Sequence, residues 1–158
     1  MNIKWRERLS IFANWKSIHH LVILPMADEP YEVVKESFES LVRCNYPKEK
    51  LLIVLAIEER AGEIAKKTAE KISEEFSPVF ANFLVTVHPA NLPEEIPGKG
   101  SNESWSTREA KLKLIDKLGI SYENVLVSVF DADTQIYPEY FGCLAYNFLT
   151  AEHPQRSS

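Results

Sequence analysis

Leu51-Leu52-Ile53-Val54-Leu55-Ala56-Ile57 is an apolar run without a polar interruption, closed by Glu58-Glu59-Arg60. A half-exposed strand alternates apolar and polar positions. An unbroken run of this length instead suits a strand covered on both faces, as in a parallel sheet. Shorter, mainly apolar runs recur on either side. Leu21 to Met26 precedes it and ends in Ala27-Asp28-Glu29-Pro30. Phe83 to Val87 follows, and Val125 to Phe130 comes last, delivering Asp131-Ala132-Asp133-Thr134.

Between these runs the period changes. Val34, Phe38, Leu41 and Val42 fall at helical spacing, as do Ala61, Ile64, Ala65, Thr68, Ala69 and Ile72. Arg108, Leu112, Ile115 and Leu118 mark a third helix, and Phe141, Leu144, Ala145 and Phe148 a fourth. Strand then helix, four times over, predicts right-handed crossovers and an α/β fold with a doubly wound, mostly parallel open sheet. Residues 1–19 read as a lead-in, 20–150 as the α/β domain and 151–158 as a polar tail.

The composition is 45% apolar and 26% charged, that of a folded domain rather than a disordered chain. A formal charge of −5 disfavours a polyanion as partner, so no nucleic acid is expected. Cys44 and Cys143 form no CxxC pair and read as free thiols in a reducing compartment, hence a cytoplasmic expectation. No apolar run reaches the roughly 18–20 residues of a membrane span. Residues 1–10 are basic without an apolar stretch behind them, unlike a secretory signal. Trp5, Ile11, Phe12 and Trp15 suggest an amphipathic lead-in helix, lying on a membrane surface or packed on the domain.

In an open parallel sheet, ligands bind outside the carboxyl ends of the strands, near the switch in strand order. That rim collects Asp28 and Glu29, Glu58 and Glu59, His88 and Asn91, and Asp131 and Asp133. If strand geometry persists through Ala132, alternation turns both aspartates the same way. Converging carboxylates repel unless a cation sits with them, and such oxygen ligands suit Mg²⁺ or Mn²⁺ bridging to phosphates. Gly98-Lys99-Gly100-Ser101-Asn102 precedes a helix, where backbone N–H groups and the dipole favour an anion. It is neither a dinucleotide-binding nor a Walker A pattern. The histidines have no metal-ligand spacing, and Ser128 lacks the turn of a hydrolase nucleophile.

Taken in order, these elements resemble family 2 glycosyltransferases of the GT-A fold, over roughly residues 21–150. The carriers are the first strand with its Pro25-to-Glu29 turn, the acidic pair Glu58-Glu59, the Lys99-Gly100 loop and Asp131-Ala132-Asp133. The resemblance implies that Pro25, Ala27 and Glu29 line a nucleoside pocket and that Glu58 or Glu59 meets the base. It puts Lys99 near the nucleotide or its phosphates, Asp131 toward the ribose and metal, and Asp133 on the metal. A UDP-sugar is favoured as donor, with a GDP-sugar the other option; the family more often has aspartate where this chain has Glu58-Glu59. The acceptor would be a glycan, a polysaccharide or a lipid-linked sugar. The base that activates it is expected beyond residue 158, with this chain the donor-binding half of a longer enzyme, attached to the cytoplasmic face of a membrane through missing segments.

Two other readings share the residues. Phe130-Asp131-Ala132-Asp133-Thr134 also matches the D-x-D-x-T of haloacid dehalogenase-type phosphatases, but there the motif closes the first strand and here the fourth. The third reading is a nucleotide-binding or interaction domain without chemistry.

Overall fold

A computed structural model of the chain describes residues 3–92 and 99–156, with side chains over 3–92 and 101–151. The main elements are α1 (Trp5–Leu9), β1 (His19–Met26), α2 (Tyr31–Val42), β2 (Leu51–Glu58), α3 (Gly62–Phe76), β3 (Phe83–His88), α4 (Lys99–Ala110), α5 (Asp116–Leu118), β4 (Val125–Val129) and α6 (Tyr140–Arg156). The strands form one all-parallel sheet in the order β3-β2-β1-β4. The α/β doubly wound class expected from the runs is the one observed. The chain steps outward from β1 to β2 to β3, then returns to the other side of β1. The switch point therefore lies between β1 and β4.

The unbroken apolar runs are explained by what covers them. Leu51, Ile53, Leu55 and Ile57 face a core built with α2, α3 and α6, where Phe38, Ile72 and Phe141 are buried. Leu52, Val54 and Ala56 face the opposite layer, against Ala110 and Ile115. Every residue of Leu51–Ile57 is at most 1% exposed. Full burial of each such leucine or isoleucine is worth about 1.5–3 kcal/mol, so this strand contributes heavily to the apolar core.

Four details depart from the sequence reading. His20, left outside the first apolar run that begins at Leu21, lies inside β1, an interior strand, and is fully buried. Ile64 stands 83% exposed, because the buried stripe of α3 is Ala65, Ala69, Ile72 and Phe76 and Ile64 falls about 100° off it. Beyond α4, a π-helical stretch at Lys111–Ile115 rotates the face, so Leu112 and Leu118 point to solvent while Ile115 is buried. The buried face of α4 itself is Asn102, Ser106 and Ala110, too small and polar for hydrophobic periodicity to detect. The fourth departure, at the end of β4, belongs to the site.

The lead-in packs on the domain. Leu9, Trp15 and Ile18 join the same core as α2 and α6, and Trp5 and Phe12 meet Tyr146 at ring-centroid distances of 5.2 and 5.7 Å. The backbone of α1 comes so close to α6 that a Cβ on Gly142 would lie 2.9 Å from the Arg6 nitrogen. Ile11 remains exposed. No helix among the described residues is long and apolar enough to cross a membrane.

Candidate functional site

The exit of β1 is a tight polar turn. The Ala27 N–H donates to Glu29 Oε1 at 2.7 Å, so the glutamate folds back over the turn that it belongs to. Pro30 follows at the N-cap of α2, where its missing N–H leaves no helix bond unmade.

At the exit of β2 the two glutamates part. Glu58 is paired in the sheet with His88 of β3, and His88 Nδ1 lies 3.0 Å from Glu58 Oε1 and 3.2 Å from Oε2. Arg60 Nε stands 3.6 Å from Glu58 Oε2. The imidazole is buried, and its ring lies 5.5 Å from that of Trp105 on α4. Glu58 is thus fixed from two sides. Glu59 turns to the loop after β3 and accepts the Ala90 N–H at 3.0 Å, tying that loop down. The chain then enters α3 through Gly62 at φ +91°, a conformation that side-chain-bearing residues rarely adopt.

At the exit of β4 the strand ends sooner than expected. β4 stops at Val129, although the Phe130 N–H still donates to the Ile23 carbonyl at 2.9 Å. A turn follows at once, closed by the Thr134 N–H on the Asp131 carbonyl at 3.0 Å. Strand alternation therefore does not carry through Ala132, and it cannot be what orients the two aspartates. Ala132 is fully buried, with exposed Asp131 and Asp133 on either side of it. The Ser37 hydroxyl donates to the Ala132 carbonyl at 2.7 Å, and the Ile136 N–H donates to Ser40 Oγ at 2.9 Å. The loop is held by α2 rather than by its own strand.

These exits surround a cavity of about 210 Å³ at the carboxyl end of the sheet. Pro25, Ala27, Glu29, Glu58 and Asp131 all line it, together with Arg60 and Asn102. A larger space of about 560 Å³ adjoins it and shares Glu58 and Arg60, with His88 and the 89–92 loop as its other wall. Sites for a whole drug-sized ligand run to roughly 300–1,000 Å³, so the smaller cavity takes one portion of a ligand and the two together take more. Glu59 and Asp133 line neither. Gly98 and the side chain of Lys99 lie outside the described residues.

Among the described residues no group of three or more histidine, cysteine or acidic side chains is placed to hold a metal ion. Asp131 and Asp133 are two carboxylates in an exposed turn. A cation held by two such groups would keep most of its water or take its other ligands from elsewhere. The pair does not make an all-protein cage.

Several residues of this site gave little or no signal in the sequence. Arg60 is the one cation lining the smaller cavity among the described residues. Asn102 is 3% exposed, with Nδ2 donating to the Ala56 carbonyl at 3.2 Å and Oδ1 without a hydrogen-bond partner. Ser37 and Ser40 read as ordinary helix positions. Only their placement opposite the D-x-D loop gives them meaning, and that follows from the packing of α2 and not from spacing. The chain matches no protein-family model and no curated protein sequence.

Proposed function

We propose that this chain binds a nucleoside-diphosphate sugar through a divalent cation and serves sugar transfer of the family 2 glycosyltransferase kind. The observation that carries the reading is the convergence of Pro25, Ala27, Glu29, Glu58 and Asp131 on one cavity beside the β1–β4 switch point. They arrive from three separate strand exits, and the resemblance asks for these positions together. The cavity suits the nucleoside portion of such a ligand. Its walls carry three carboxylates, which accept hydrogen bonds from ribose hydroxyls and base N–H groups but repel bare phosphate. The diphosphate then lies toward the Asp131–Thr134 turn, where Asp131 and Asp133 hold Mg²⁺ or Mn²⁺. A cation held there would supply positive charge to offset that of the leaving nucleoside diphosphate. Of the two glutamates, Glu58 is the one that meets the base, since it lines both spaces and Glu59 lines neither.

The test is calorimetric titration of UDP and GDP, with and without Mn²⁺, into wild type, Asp131→Ala and Asp133→Ala. The expected outcome is metal-dependent binding, tighter for UDP, that Asp133→Ala abolishes. A folded protein that binds neither nucleotide under any of these conditions sinks the proposal.

A further inference from the structure

The loop carrying Asp131 and Asp133 takes its shape from α2. Ser37 is fully buried and its hydroxyl donates a hydrogen bond to the Ala132 carbonyl at 2.7 Å. Ser40, 2% exposed, accepts the Ile136 N–H at 2.9 Å and donates its own hydroxyl to the Ser37 carbonyl at 2.6 Å. Just past the helix, the Asn45 N–H donates to the Pro138 carbonyl at 2.8 Å. Main-chain groups at 132, 136 and 138 thus find their partners on α2 or at its exit. Left unmatched in a buried setting, such groups would force the loop to move.

The two serine bonds bracket Asp133, one residue before it and three after, while the turn's own bond ties Thr134 to Asp131. Ala132 and Ile136 are themselves in the core, so the clamp is apolar as well as polar. Neither serine lines the cavity, so any effect on a ligand must pass through the loop.

We infer that Ser37 and Ser40 are positioning residues for the carboxylates of Asp131 and Asp133. They hold the turn ready for a cation-bridged diphosphate before either cation or ligand arrives. The inference rests on the proposed function for the identity of that ligand. Preorganisation of this kind removes an ordering cost that would otherwise be met on binding.

The experiment compares wild type, Ser37→Ala, Ser40→Ala and the hydroxyl-retaining Ser37→Thr. Amide exchange at Thr134 and Ile136 reports the turn directly. Affinity for UDP with Mn²⁺ reports the carboxylates, and uridine without metal, followed by NMR titration, reports the nucleoside cavity alone. The alanine variants should exchange faster at both amides and bind Mn²⁺–UDP on the order of tenfold more weakly, with uridine unaffected. Ser37→Thr should recover most of the loss. Alanine variants that bind Mn²⁺–UDP as wild type does overturn the inference, and so does a parallel loss of uridine and Mn²⁺–UDP, which marks a purely structural role. A wild type that binds neither probe overturns the donor-site reading itself, and that result is seen before any substitution is made.

Discussion

His20 makes stability depend on pH in a way that a single substitution isolates. Its ring is fully buried on β1, with centroids 4.6 Å from Tyr46 and 4.9 Å from Phe141. Neither ring nitrogen has a hydrogen-bond partner. Burial pushes the imidazole down from 6.5 to about 3, and the neighbouring His19 adds a smaller push the same way. The unfolded chain keeps the ordinary value, so between pH 6.5 and about 3 it binds a proton that the folded state refuses. This contribution to stability is complete above the unfolded value and is lost as the pH falls toward the folded one. Linkage makes the loss about 1 kcal/mol near pH 5.5 and about 3 kcal/mol near pH 4.5. Urea melts of wild type and His20→Leu at about pH 7.5, 5.5 and 4.5 measure it. The constant cost of altered ring packing cancels in the difference between the two curves, as do carboxylates common to both proteins. The leucine variant should gain on wild type by those amounts as the pH drops. A difference that stays flat with pH would show that the buried imidazole either finds a partner or is hydrated, and the reasoning would fail.

The remaining predictions concern packing. Gly142→Ala should cost about 1–3 kcal/mol in a thermal or urea melt, since its Cβ would meet the backbone of Trp5 and Arg6 at 2.9–3.3 Å. The same change should make the N-terminal segment more sensitive to limited proteolysis, because α1 must lift from α6. Leu55→Ala should cost about 2–5 kcal/mol, as a large-to-small change in a fully buried strand. Ile64→Ala should stay within about 0.5 kcal/mol, although both residues belong to apolar patterns in the sequence.

Leu55 and Ile64 also show where the sequence is legible and where it is not. A strand buried on both faces has no wrong face, so the run 51–57 could be placed from composition alone. A helix has one buried stripe, and its phase depends on how the helix is seated. Ile64 sits about 100° off the stripe set by Ala65 and Ala69, and the π-helical stretch displaces Leu112 and Leu118 from theirs. Hydropathy records that a residue is apolar, not which way the sheet lies from it.

The site divides along the same line. Pro25, Ala27, Glu29, Glu58 and Asp131 lie in or next to strand ends, and a parallel sheet gathers strand ends on one rim whatever the loops do. Their meeting in one cavity also needs β2 and β4 on either side of β1, an order that the alternation of elements does not fix. Asp133 is different, because the strand stops at Val129 and the turn after it is shaped by serines almost a hundred residues earlier in the chain. No pattern local to D-A-D encodes those partners. Arg60 and Asn102 became visible for the same reason, as neighbours of Glu58 and of the Ala56 carbonyl in space. What a motif supplies is the chemistry offered to a ligand; where that chemistry is held is decided by buried hydrogen bonds from elements the motif does not contain.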